Sequence, residues 1–310
     1  MSDSTWIAGD SDAVDDTVLE VHRQHLQDHP FVVEYDSAGK YFEHKLGFEN
    51  VAEAYYDVPT YAAFRIHTYA PRDYLLLQTN PDLKPDKAKG DIHWSYPSLS
   101  TDFDQSVLAN VVQAATTITP YLNDGDSVRL GLKCIIDAVQ SEYDIEFKGN
   151  ALRQAEYEEY LQLEAARSYR SDSNSSGVNL NRGIHKDFAY TNRCKFQAEG
   201  SSANPQQADD EWLEDELIAV APKVVFALGD KARSGLRNLG FEPVREQNQY
   251  SSGENNRILR YEGKQPSLQG TSAVCLYHLD YRSELTTDLD VHKALGSIKQ
   301  TTDSTETTVN

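Results

Sequence analysis

Between Asp187 and Gly240 the chain reads strand, polar turn, helix, proline stop, strand, glycine, helix: DFAYTNRCKFQAEG, then a polar helix, then APKVVFALGDKARSGLRNLG. A strand, a crossover helix and a second strand in succession make a parallel βαβ unit, right-handed by default. No other stretch limits the fold as much. Both apolar runs end abruptly in polar residues, at Thr191 and Asn192 and at Gly229 and Asp230. The same pattern recurs at YLLLQTNPD (Tyr74 to Asp82) and AVCLYHLD (Ala273 to Asp280). In open parallel sheets ligands bind at the carboxyl ends of the strands, so four strands with polar tips imply a site at one edge.

Local signals fill in the rest. Asn204 is placed to cap the helix after the 187–191 strand, with Pro205 in its first turn and Gln207 at the capping-box position. Trp212, Leu213, Leu217 and Val220 form the apolar stripe of that helix, and Pro222 stops it. Asp230 is read as the cap of the next helix, which Gly240 ends. Helical spacing also marks 104–118, 128–139, 152–167 and 288–298. Phe31 to Val33 and Ala62 to Ile66 read as strands, as do 257–261 and 272–277. The expected fold is α/β: a three-layer sandwich with a short, mostly parallel central sheet. Residues 16–299 form one domain with a helical insertion at about 101–180, between disordered ends at 1–15 and 300–310.

Charge bears on the partner. The net charge of -20 argues against a nucleic-acid ligand, because phosphate contacts need Lys and Arg. The acids are spread along the chain rather than blocked, however. A surface of that kind stays soluble in very high salt, where repulsion is screened, and this acidic halophilic reading is the expectation taken here. An ordinary acidic protein and an acidic mimic of DNA are the alternatives. Cys134, Cys194 and Cys275 show no CxxC pairing, which argues against a disulfide framework or a zinc site. Cys275, within an apolar strand, is expected to be a buried thiol. No long apolar run is present, so a soluble, cytoplasmic protein without a membrane partner is expected.

Several residues at the strand ends can carry chemistry. Asn80, before Pro81 and Asp82, can orient a water through its amide, and Asp82 can act as a general base in a dry site; a plain Asn-Pro turn is the structural alternative. Asn192 presents an acceptor and a donor side by side, which matches the O4 and N3–H edge of uracil; otherwise it satisfies local backbone. His278 can donate to a developing oxyanion. Trp94, in DIHWSYPS, can stack on a planar base. Arg193 and Lys195 can meet phosphates, or serve as surface charge. His185, His93 and Asp91 form no metal-ligand spacing.

These segments resemble the uracil-DNA glycosylase superfamily. YTNRCKFQAEGSSANPQ and WLEDELIAVAPKVVFALGDKA are similar to its base-reading strand, turn, helix and following strand. QTNPD is similar to the first family motif, in which an Asp or Asn positions the attacking water. DIHWS is similar to the loop that supplies a stacking aromatic, and YHLD to the strand that ends in a catalytic His. The resemblance implies removal of uracil or a related damaged base from single- or double-stranded DNA, by a monomer without metal or cofactor. Asn192 and Trp94 would hold the base. Asn80, Asp82 and His278 would be catalytic, with Lys195 and Arg193 on the DNA backbone. A catalytically inactive binding module of the same fold is the alternative. The sequence departs from the family where Gln78 and Asp82 replace glycines around Asn80, and where no Pro-Ser follows His278. Residues 1–70 and 101–180 lie outside the resemblance.

Overall fold

The computed structural model describes residues 15–47, 49, 53–64, 68, 70–80, 85–86, 91–92, 126–149, 186–196, 198, 203–244, 259–276 and 288–307. Its centre is a mixed six-stranded sheet built from β1 (Tyr74–Gln78), β2 (Phe188–Asn192), β3 (Val224–Leu228), β4 (Phe241–Pro243), β5 (Leu259–Gly263) and β6 (Ser272–Leu276). The spatial order is β2-β1-β3-β6-β5-β4. The pairs β1–β2, β1–β3 and β3–β6 are parallel, and β5 and β4 add an antiparallel edge. The fold is therefore α/β. Every residue of the four parallel strands is buried, which explains their unbroken apolar runs: parallel strands are covered on both faces.

Side chains alternate along each strand and sort into two cores. Tyr74, Leu76, Phe188, Tyr190, Phe226 and Val274 pack with α3 (Asp126–Tyr143) and α6 (Asp288–Thr307). Leu75, Leu77, Ala189, Val225, Ala227 and Cys275 pack with α4 (Gln207–Val220) and α5 (Asp230–Asn238). The stripe expected on α4, Trp212, Leu213, Leu217 and Val220, is buried, as is the Cys275 thiol. The α3 helix falls inside the segment expected as an insertion, yet it packs on the sheet in the crossover from β1 to β2. Residues 104–118 and 152–167, expected as helices, lie outside the described residues.

The N-terminal region departs most from expectation. Asp15 accepts hydrogen bonds from the backbone of Thr17 and Val18 and starts α1 (Asp16–Asp28), whose buried residues include Val18, His22 and Leu26, four apart. Phe31 to Val33 are helical rather than extended. Pro30 occupies the first turn of α2 (Pro30–Glu34), and the His29 ring caps it by accepting from the Phe31 N–H. Thr60–Ala63 form a 3₁₀ turn where a strand was expected. Phe31, Tyr41, Phe42, Phe64, Phe196 and Trp212 make a third, aromatic core that docks this region against α4 and the chain after β2.

Some boundaries also move. The α4 helix begins at Gln207, two residues past the expected start, because Asp209 closes on the Gln206 backbone N–H at 2.8 Å. Gly229, at φ 94°, precedes α5 in place of the Asp230 cap, a backbone angle that favours glycine. The α6 helix runs to Thr307, so residues expected as a disordered tail from 300 are helical to that point. No helix among the described residues is long and apolar enough to cross a membrane.

Candidate functional site

Chain connectivity places β2 on one side of β1 and β3 on the other. The direction of winding therefore reverses beside β1, and such reversals open a crevice at the carboxyl ends of the strands. Gln78, Thr79 and Asn80 close β1 there, Asn192 closes β2, and Gly229 follows β3. Backbone bonds carry the ladder past the strand ends: the Arg193 N–H donates to Gln78 O and the Cys194 N–H to Thr79 O, each at 2.9 Å. The edge is thus rigid where its polar side chains begin.

Gln78 and Asn192 are direct cross-strand partners. Partners in a parallel ladder project from the same face, about 5 Å apart. Both side chains are almost wholly buried, at 2% and 1% exposure. Asn192 Nδ2 and Oδ1 and Gln78 Nε2 have no hydrogen-bond partner among the described residues. An unpaired polar group of this kind costs about 1–3 kcal/mol. Of the five such buried atoms found, three are on these two side chains. The other two each lie within 4 Å of a complementary polar group: His29 Nε2 is 3.6 Å from Asp209 Oδ1, and Glu216 Oε1 is 3.8 Å from His22 Nε2. Among the described residues, the atoms of the paired amides are the ones in this group with neither a hydrogen bond nor an ion-pair contact. Asn80 is buried beside this edge and its Nδ2 donates to Ala198 O at 3.3 Å, which fixes the orientation of its amide.

The opposite face of β2 is arranged otherwise. Lys195 has no exposed surface. Its Nζ donates to Thr191 Oγ1 at 2.8 Å, to Asn192 O at 2.5 Å and to Glu216 Oε2 at 2.5 Å. Thr191 Oγ1 in turn donates to Glu216 Oε2 at 2.8 Å. Beside them, His22 Nδ1 accepts from the Trp212 indole N–H at 3.1 Å. Its proton is therefore on Nε2, which donates to Thr68 O at 2.8 Å, and Thr68 Oγ1 donates to Tyr190 O. Burial, only partly countered by Glu216, holds the His22 pKa down at about 4, so the ring is neutral. For Glu216, burial pushes the carboxyl up, but Lys195, His22 and the Lys195 and Thr191 hydrogen bonds outweigh it and hold the group below its ordinary range. Burial also raises the Cys194 thiol, which keeps it in the protonated form.

This arrangement corrects two expectations. Lys195 cannot reach a phosphate, because all of it is enclosed and its donors serve Thr191, Asn192 and Glu216. Arg193 is 5% exposed and is held by Asp210 through two bonds, by Lys231 O and by Ser234 Oγ. Its stem lies against Gly235, where an added Cβ would sit 2.8 Å from Arg193 Cδ. Both cations build the platform under Asn192. Glu216 had a sequence signal, since it falls on the apolar stripe between Leu213 and Leu217. Gln78 had one too, as a polar residue in phase with the buried Tyr74 and Leu76. The pairing of Lys195 with Glu216 had none.

Of the expected site residues, Asn80 and Asn192 lie at the same edge of the sheet. Asp82, Trp94 and His278 lie outside the described residues. Among the described residues no group of three His, Cys, Asp or Glu side chains is placed to hold a metal ion. The chain matches no family model, and no curated protein matches it.

Proposed function

We infer that this chain is a uracil-DNA glycosylase-like hydrolase, a three-layer α/β enzyme of base-excision repair that acts on DNA in the cytoplasm of a salt-adapted cell. The observation that carries the reading is Asn192: a buried amide at the carboxyl end of a parallel strand, with both polar atoms unanswered. A flipped-out uracil supplies what it lacks, with O4 accepting from Nδ2 and N3–H donating to Oδ1. Order β2-β1-β3-β6, with Asn80 one strand over, supports the same reading.

In the reaction a water oxygen bonds to C1′ of the deoxyribose as the C1′–N1 bond breaks, and the bonding pair leaves on uracil. Asn80 is an amide and cannot take a proton, so its part is to orient the water; the proton passes to Asp82 or to solvent. Asn192 and His278 stabilise the charge that develops on the departing base, and Trp94 stacks on its face. In molar salt the Debye length falls to about 3 Å, so the charge of -20 exerts little long-range repulsion on DNA. The test is release of uracil from single- and double-stranded DNA across salt concentrations up to several molar. Asn192→Ala and Asn80→Ala are each expected to reduce the rate at least a hundredfold, roughly the loss of one preorganised transition-state contact. No uracil release by wild type at any salt would exclude the enzyme.

A second reading has its own observation. Lys195 and Arg193, the cations next to Asn192 in sequence, are spent internally. This favours a member of the fold that binds a base or a partner without cleaving it. DNA binding without base release supports that module.

A further inference from the structure

Gln78 and Asn192 together present two donors and one acceptor: Gln78 Nε2, Asn192 Nδ2 and Asn192 Oδ1. They are register partners on one sheet face, and each is more than nine-tenths buried. Two amides so close can bond to each other, and these do not, which leaves a three-point set in want of a ligand edge. The imide edge of a pyrimidine has the complementary count, two carbonyl acceptors flanking one N–H donor. An Asn alone answers only two of its three groups.

We propose that Gln78 is a specificity-determining residue that donates through Nε2 to the C2 carbonyl of the bound base, completing a three-point reading of the imide edge with Asn192. This rests on the uracil reading of the same site. It requires Asn192 Oδ1 to lie between the two amide nitrogens when base is bound. Bases with a C2 carbonyl are then retained, and those lacking it, such as hypoxanthine, lose one contact. Gln78 is the last residue of β1 and its backbone carbonyl is tied to the Arg193 N–H, so the amide is held on a rigid element.

Equilibrium binding of free bases to the full chain in molar salt, followed by ligand-observed NMR, tests this without relying on catalysis. The probes are uracil and 4-pyrimidinone, which keeps the C4 carbonyl and N3–H but lacks the C2 carbonyl. Wild type is expected to bind uracil about tenfold more tightly, the worth of one neutral hydrogen bond. Gln78→Leu is expected to bring the ratio to about one, and Asn192→Ala to weaken both ligands. If Gln78→Leu does not fold by circular dichroism, Gln78→Glu takes its place. It substitutes an acceptor for the donor and is expected to weaken uracil more than 4-pyrimidinone. A ratio unchanged in the folded variant overturns the role of Gln78 alone and leaves water as the partner of its amide. Wild type that binds neither base overturns the uracil reading and this inference with it.

Discussion

Thr191 and Asn192 are adjacent in sequence and equally buried, yet they face opposite cores. On the α4 side, Thr191 joins a network in which the Lys195 ammonium has three acceptors and Glu216 Oε2 has two donors. On the other side, Asn192 and Gln78 hold three polar atoms with no hydrogen-bond partner among the described residues. Burial is the same and satisfaction is opposite. The difference separates two conditions of a polar residue in a core: a satisfied group fixes the backbone, whereas an unsatisfied one costs stability and, on the function proposed above, is kept for a ligand. Lys195 connects the two, because it donates to the backbone carbonyl of Asn192 itself.

The largest expected effect comes from breaking the satisfied side. Lys195→Met or Glu216→Leu alone leaves a buried charge unpaired and is expected to cost about 3–5 kcal/mol in urea unfolding, while the double replacement recovers most of it. The exposed Lys223–Asp73 pair is the internal control, worth about 0–1 kcal/mol. Equal effects at the two pairs would erase the contrast. Next comes pH. His22 takes up its proton near 4 in the folded protein and near 6.5 when unfolded. Its contribution is fully present above about pH 6.5 and is lost as pH falls to about 4, because only the unfolded state gains the proton in that window. The loss is about 3 kcal/mol, and the depressed Glu216 carboxyl adds to it at lower pH. His22→Gln should flatten the stability–pH curve between pH 6.5 and 4; an unaltered curve would show that the ring is not held neutral. The smallest effect has the opposite sign. Asn192→Leu removes two unanswered groups at similar volume and is expected to stabilise the fold by about 1 kcal/mol while abolishing uracil release. Destabilisation on the scale of the Lys195 variant would mean that Asn192 has a structural partner after all.

What could be read from the sequence follows the range of the interactions. The four parallel strands and the α4 stripe are local periodic signals, and the structure carries them; the polar end expected after β6 lies outside the described residues. Asn192 was legible because a strand end is a local event. Lys195 was read as a phosphate contact because NRCKF shows a polar turn and nothing in it announces a carboxylate beneath. Glu216 reaches that position only through the return of α4 across the sheet. Phe31 to Val33 has strand composition, but Pro30 and the His29 cap commit it to a helical turn. Docking of that turn on Phe196 and Trp212 is a tertiary fact with no local trace.

The position of β1 has a consequence for biosynthesis. It lies between β2 and β3, and both follow it by more than a hundred residues. At about 5–20 residues per second a ribosome needs roughly 5–20 s after finishing YLLLQ to deliver the first strand that can flank it. Throughout that interval a nascent chain displays an apolar segment with both hydrogen-bonding edges open, a form suited to pairing with a neighbouring copy.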